Sequence, residues 1–185
     1  MFKDHYGSSY MGMDIHYVFN PDWSTTNNLV SFDLANPFID TDYILLEGDL
    51  IYTEDAIGRM NCTNSMAVAP LETHMDGTVV TINEDYLVRM MYLKSGKTKY
   101  QAAELLYKTV NIYCFSLSSH INVVQPEVKH LLDRGAYQSY YEEAFAQAIK
   151  KQTLAMKAVS FVDQLWYEID TPEDFEKAKD LFRDE

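Results

Sequence analysis

Three carboxylates in this sequence stand where strand ends would present them for chemistry. The run Tyr43-Ile44-Leu45-Leu46 is continuously apolar and stops on Glu47-Gly48-Asp49. Such a run reads as a short strand buried on both faces, as in a parallel sheet. Open α/β sheets bind their ligands beyond the carboxyl ends of the strands, so Asp49 falls where a ligand is expected. Gly48 has no side chain, which lets a phosphate or a metal approach the backbone closely. A carboxylate there is a natural Mg2+ ligand in a site that handles nucleotide phosphates. The plainer reading is a strand that ends in two solvated acids.

The second stretch with chemistry in it is Leu165-Trp166-Tyr167-Glu168-Ile169-Asp170. Side chains alternate along a strand, so Trp166, Glu168 and Asp170 share one face. Two carboxylates two residues apart on one face repel unless something positive lies between them. Together with Asp49 they would complete an oxygen-ligand Mg2+ site. Thr171-Pro172-Glu173-Asp174 follows as a helix start, with Thr171 as N-cap, Pro172 at the first helical position and Asp174 in the reciprocal capping place. Glu173 and Asp174 are therefore read as acids that favour the helix dipole.

The elements that must hold these groups interleave along the chain. Residues 14–19 alternate and predict a strand, and 20–22 turn the chain. Thr25 to Asn28 supply capping side chains for a helix over 29–35, which Asn36-Pro37 stops. A short helix is expected at 54–60 and a strand at 65–69. A hairpin is expected with arms 77–82 and 86–93. Residues 94–99 form a basic, glycine-containing loop, and 108–115 predict a strand. Helices follow at 121–132, with Pro126 in a first turn, and at 139–150, with Tyr141, Phe145, Ala148 and Ile149 as the packed stripe. The fold class is α/β, Rossmann-like, with a mixed, mostly parallel sheet flanked by helices.

Composition narrows the function. At 185 residues the chain suits one domain spanning 1–185. A formal charge of -13 argues against a nucleic-acid binder. It leaves a nucleotide substrate open, because a divalent cation can stand between acids and phosphate. No apolar run approaches membrane-spanning length and no signal-peptide core is visible, so no membrane partner is expected. Cys62 and Cys114 are isolated and read as buried fillers in a reduced, cytoplasmic protein. The five histidines have no zinc-ligand spacing, and no nucleophile-elbow motif occurs.

Leu46-Glu47-Gly48-Asp49, Thr26-Asn27-Asn28, and the closing run from Trp166 to Asp174 resemble the sugar-nucleotidyltransferase superfamily. The nearest branch is that of the phosphocholine and 2-aminoethylphosphonate cytidylyltransferases, which Lys108-Thr109-Val110-Asn111-Ile112-Tyr113 and Tyr140-Tyr141-Glu142-Glu143-Ala144 also resemble. The resemblance implies that a phosphate or phosphonate oxygen of a small phosphorylated amine or alcohol attacks the α-phosphorus of CTP, releasing pyrophosphate. It implies Asp49, Glu168 and Asp170 as the catalytic Mg2+ ligands and Asn27 and Asn28 as nucleotide contacts. Lys108, Asn111, Tyr140, Tyr141, Glu142 and Trp166 are implied on the substrate side, the aromatics flanking an ammonium. Core packing is the alternative for Tyr140 and Tyr141, and a solvated strand lysine the alternative for Lys108.

The sequence also departs from that pattern. None of its seven glycines forms a phosphate loop, and by the resemblance the chain begins after the first two strands of the family's sheet. That would bare an apolar sheet surface, for which a homodimer or a partner chain is the expected cover. Two other functions compete: a non-catalytic remnant or binding domain of the same fold, and a metal-dependent glycosyltransferase, which also ends a central strand on an acidic pair.

Overall fold

The computed structural model describes residues 2–61, 63–73, 75–94 and 105–183. Cys62, His74 and most of the basic loop expected at 94–99 lie outside them. The sheet is organised around β8 (Tyr107–Phe115), the longest strand among the described residues. It carries apolar side chains on both faces. Tyr113 and Phe115 enter one core, while Val110, Ile112 and Cys114 enter the other. Continuous hydrophobicity of this kind marks a strand covered on both sides.

β5 (Ser65–Pro70) runs antiparallel along one edge of β8, and β9 (Lys157–Ser160) lies parallel to β5 beyond it. The other edge of β8 is shared end to end by two antiparallel strands. β3 (Tyr43–Leu46) pairs with Ile112 to Phe115, and β6 (Val79–Ile82) pairs with Tyr107 and Lys108. β7 (Val88–Tyr92) completes the sheet as the hairpin partner of β6. The sheet is mixed, as expected: β3, β5, β6 and β9 point one way, β7 and β8 the other. Its directly hydrogen-bonded parallel pair is β5 with β9, because β8 inserts in reverse among the co-directional strands.

Helices cover one face. α2 (Asn28–Ala35), α5 (Gln125–Asp133) and α6 (Glu142–Lys150) contribute Leu29, Phe32, Val128, Leu131, Phe145 and Ala148 to the larger core. The opposite face is covered by α3 (Glu54–Gly58) and by a two-stranded antiparallel ribbon, β4 (Leu50–Tyr52) with β10 (Trp166–Glu168). The chain closes on α7 (Pro172–Leu181). Thr171 accepts from the Asp174 N–H and the Asp174 side chain accepts from the Thr171 N–H, so the capping box expected from the sequence forms.

Three expectations are corrected. The run 43–46 is not a central strand buried on both faces. β3 is hydrogen-bonded to β8 alone among the described strands, and Ile44 and Leu46 are 38% and 39% exposed on its outer face. Local hydrophobicity cannot tell such a strand from a central one. The strand at 14–19 shrinks to β2 (Met13–Asp14), paired with β1 (Ser9–Tyr10) after the short α1 (Phe2–Tyr6), and residues 15–19 join no ladder. The helix near Ile121 begins earlier, with α4 (Leu117–Ser119), and passes through a π-turn at His120–Val124 before α5. Pro126 has no N–H to give to the preceding turn and its ring crowds that turn's carbonyl, which accounts for the local widening.

Candidate active site

The site forms where β3 ends and β6 begins along the same edge of β8. Asn111 occupies that gap with φ +59°, a left-handed conformation that asparagine tolerates better than most side chains. On the opposite edge the β5 register slips between Met66 and Val68. The kink interrupts the ladder and frees polar side chains from three elements to converge.

Asn111 Nδ2 donates to Glu47 Oε2 and to Glu168 Oε1, both at 2.9 Å. Its Oδ1 accepts from Thr109 Oγ1 at 3.0 Å. Glu47 Oε1 accepts from the Tyr141 hydroxyl at 2.6 Å. The Glu142 carboxylate, buried in the first turn of α6, accepts from Tyr113 at 2.8 Å and from Thr78 at 3.1 Å. Lys108, only 2% exposed, places Nζ 3.4 Å from Glu168 Oε2 and donates to the Thr109 carbonyl at 2.9 Å. The reading of Lys108 as a solvated strand lysine is thereby excluded.

The β4–β10 ribbon brings the remaining acids together. Its ladder continues through the Ile169 N–H to the Asp49 carbonyl at 2.9 Å, setting Asp49 beside the Glu168–Asp170 segment. These carboxylates open into a cleft of about 460 Å³ that Lys108, Glu47 and Glu142 also line. Tyr140, Trp166 and Tyr167 contribute aromatic surface to it, and Lys94 and Lys177 line it as well.

Crowded acids change one another's chemistry. Burial, opposed by the Tyr141 hydrogen bond and reinforced by Glu142, Asp49 and Glu168, pushes the Glu47 carboxyl up to about 7. Burial likewise raises Glu142, against the hydrogen bonds from Tyr113 and Thr78. Burial raises Glu168 too, with Lys108 pulling down and Asp170 and Asp49 pushing up. Perturbed acids gathered in a cleft are a mark of functional sites.

Among the described residues no group of three acidic, histidine or cysteine side chains is gathered closely enough to hold a metal ion by itself. Mg2+ does not require one. It keeps several waters and is held by one or two carboxylates together with substrate phosphates. The oxygen-only donor set of Asp49, Glu168 and Asp170 fits that ion. Each Glu168 oxygen has two lone-pair directions, so the bonds from Asn111 and Lys108 leave acceptor capacity toward the cleft.

The other implied residues divide. Tyr140, at 40% exposure, and Trp166 offer ring surface to the cleft. Tyr141 packs against Phe32, Tyr113 and Phe145 and contributes its hydroxyl to Glu47. Asn27 caps α2, and its N–H donates to the Tyr137 carbonyl. Asn28 accepts from the Tyr141 N–H at 2.8 Å and reaches toward Glu47 at 3.5 Å. Both asparagines thus hold the framework behind the cleft wall. Glu47, Thr78 and Tyr113 escaped the sequence reading. Glu47 had a signal, as the first acid after the apolar run, but Thr78 joins only through non-local pairing.

No protein-family model matches the chain. Over 179 residues it is 35% identical to the CMP-5'-(3-aminopropyl)phosphonate synthase of Streptomyces rubellomurinus, a match that covers 93% of this chain and 28% of that protein. Its fold matches the solved CTP:phosphocholine cytidylyltransferase of Streptococcus pneumoniae with a TM-score of 0.76 at 15% identity, over 97% of this chain and 71% of that one. The chain has the nucleotidyltransferase fold. The inositol-1-phosphate CTP transferase of T. maritima matches with a TM-score of 0.63 at 17% identity, over 88% and 63% of the two chains. The likeness to cytidylyltransferases that the motifs carry is thus met again in overall sequence and in architecture. The chain spans about a quarter of the length of the synthase it matches.

Proposed function

We propose that this chain is the catalytic module of a Mg2+-dependent cytidylyltransferase, moving CMP from CTP to a small phospho- or phosphono-amine with release of pyrophosphate. The observation that carries the reading is the joining of Asp49 to the Glu168–Asp170 segment across the β4–β10 ladder, above a floor whose buried cation is Lys108. Asp49, Glu168 and Asp170 would hold the ion. When bound, it supplies charge neutralisation on the phosphates. The protein's own residues bind and orient, and in-line phosphoryl chemistry asks for little more.

The ammonium of the acceptor finds a cleft rich in carboxylates and bordered by Tyr140 and Trp166, a setting that attracts cations. An amine-bearing phosphonate is also what the synthase's name describes. Lys108, which lines the cleft, would meet an anionic oxygen of either substrate. A cytoplasmic setting, read from the two isolated cysteines, belongs to the same proposal.

Pyrophosphate release from CTP in the presence of 3-aminopropylphosphonate or phosphocholine tests it, in a form to which a phosphate loop is supplied in cis or by a partner. The 185 residues alone, whose glycines form no such loop, should turn over little. Turnover should require Mg2+ and stop with EDTA. Asp49→Asn, which keeps volume and removes charge, should cost several orders of magnitude in rate with the fold intact. Asp174→Asn should loosen the capping box that starts α7 and leave the chemistry nearly untouched. Equal rate losses in the two variants would contradict these roles.

A further inference from the structure

The cleft floor contains a side chain whose hydrogen bonds are placed as a clamp. Asn111 sends its two amide hydrogens to carboxylates carried by different strands, Glu47 at the end of β3 and Glu168 in β10. Thr109 Oγ1 lies 3.0 Å from the amide oxygen, its one hydrogen shared between that oxygen and the Thr78 carbonyl at 3.1 Å. A flipped amide would set its oxygen against both carboxylates, which accept and do not donate when ionised. The left-handed backbone at Asn111 would be met more easily by glycine. The side chain is therefore explained by what its amide holds and not by the backbone conformation alone.

We propose that Asn111 is a positioning residue that locks Glu47 and Glu168 into one two-carboxylate unit and so presets Glu168 toward a divalent cation. Without it, two acids carried on separate strands would repel and turn apart. Glu47 keeps Asn111 in place from the β3 side, where Tyr141 anchors it. This inference rests on the reading of Glu168 as a cation ligand, given above. Partners one step behind a metal ligand usually matter 10–100-fold for metal affinity.

Mn2+ stands in for Mg2+ in the test. Its affinity for the full chain, without nucleotide, is measured by paramagnetic resonance for the wild type, Asn111→Gly and Thr109→Val, with thermal melts to confirm folding. Asn111→Gly keeps the backbone conformation and removes the clamp, and should weaken Mn2+ by roughly tenfold or more. Thr109→Val touches no carboxylate; it removes the hydroxyl shared by the amide oxygen and the Thr78 carbonyl, so it should weaken Mn2+ by a smaller factor in the same direction. It carries the test if the glycine variant fails to fold. Unchanged affinity in folded variants, or no Mn2+ binding by the wild type, overturns the proposal. Mn2+ binding with the expected losses but no CMP transfer would leave Asn111's role standing and remove the proposed reaction.

Discussion

Glu47 is held between opposing influences, and the balance sets how its protonation is linked to folding. Burial and the neighbouring acids raise its carboxyl to about 7, while the Tyr141 hydroxyl and the Asn111 amide favour the ionised form. Its pKa when folded lies above the unfolded value of 4.5, so the native state holds the proton more tightly. The contribution of this group to stability is then fully present below the unfolded pKa and is lost as pH rises from about 4.5 through about 7. Glu47→Gln removes the titration. Relative to wild type, the variant should gain stability between those limits, by an amount on the order of 1 kcal/mol once partial solvent exposure is allowed for. Melting curves of both proteins across that range check it, and a difference that does not change with pH would refute the assignment.

At the scale of elements, the start of β6 illustrates how a turn can serve a buried cation. Gly77 has φ +108°, and a Cβ built there would lie 3.1 Å from Lys108 Nζ and 3.2 Å from Cε. Lys108 Nζ is held there by Glu168 at 3.4 Å and by the Thr109 carbonyl at 2.9 Å, so giving way to a Cβ disturbs those contacts. Gly77→Ala should therefore destabilise the fold by on the order of 1 kcal/mol or more through backbone strain. It should also make the Lys108 amine more reactive to acylation, as read by mass spectrometry. Gly48→Ala, with open space around its Cβ and no left-handed backbone, should be far milder in stability. Unchanged Lys108 reactivity in Gly77→Ala would refute the steric argument. The same contrast explains what the sequence disclosed. The α7 cap and the apolar stripe of α6 were legible because their partners lie within a few residues. The rank of β3 in the sheet, the role of Thr78 and the burial of Lys108 were not, since each depends on a partner at least 30 residues away: β8 for β3, Glu142 for Thr78, and Glu168 for Lys108.

On the scale of the molecule, the acidic balance noted in the sequence becomes a functional constraint. The chain carries 28 acidic and 15 basic residues, and its candidate site repeats that excess locally. Glu47, Asp49, Glu142, Glu168 and Asp170 all line a cleft in which Lys108 is the buried cation, with Lys94 and Lys177 more exposed. A nucleoside triphosphate is itself strongly anionic, so metal-free CTP must approach against the field of the whole protein. Salt screens such fields over about 10 Å at 0.1 M ionic strength. The association rate of a fluorescent CTP analogue without divalent ions should therefore rise as salt increases from about 20 mM to about 200 mM, the reverse of a basic nucleotide-binding surface. Saturating Mg2+ neutralises much of the triphosphate and should flatten that dependence. Stopped-flow measurements in both conditions decide the matter. A rate that falls with salt in the absence of Mg2+ would mean that Lys94, Lys108 and Lys177 govern the encounter, and that the global acidic charge does not reach the cleft mouth.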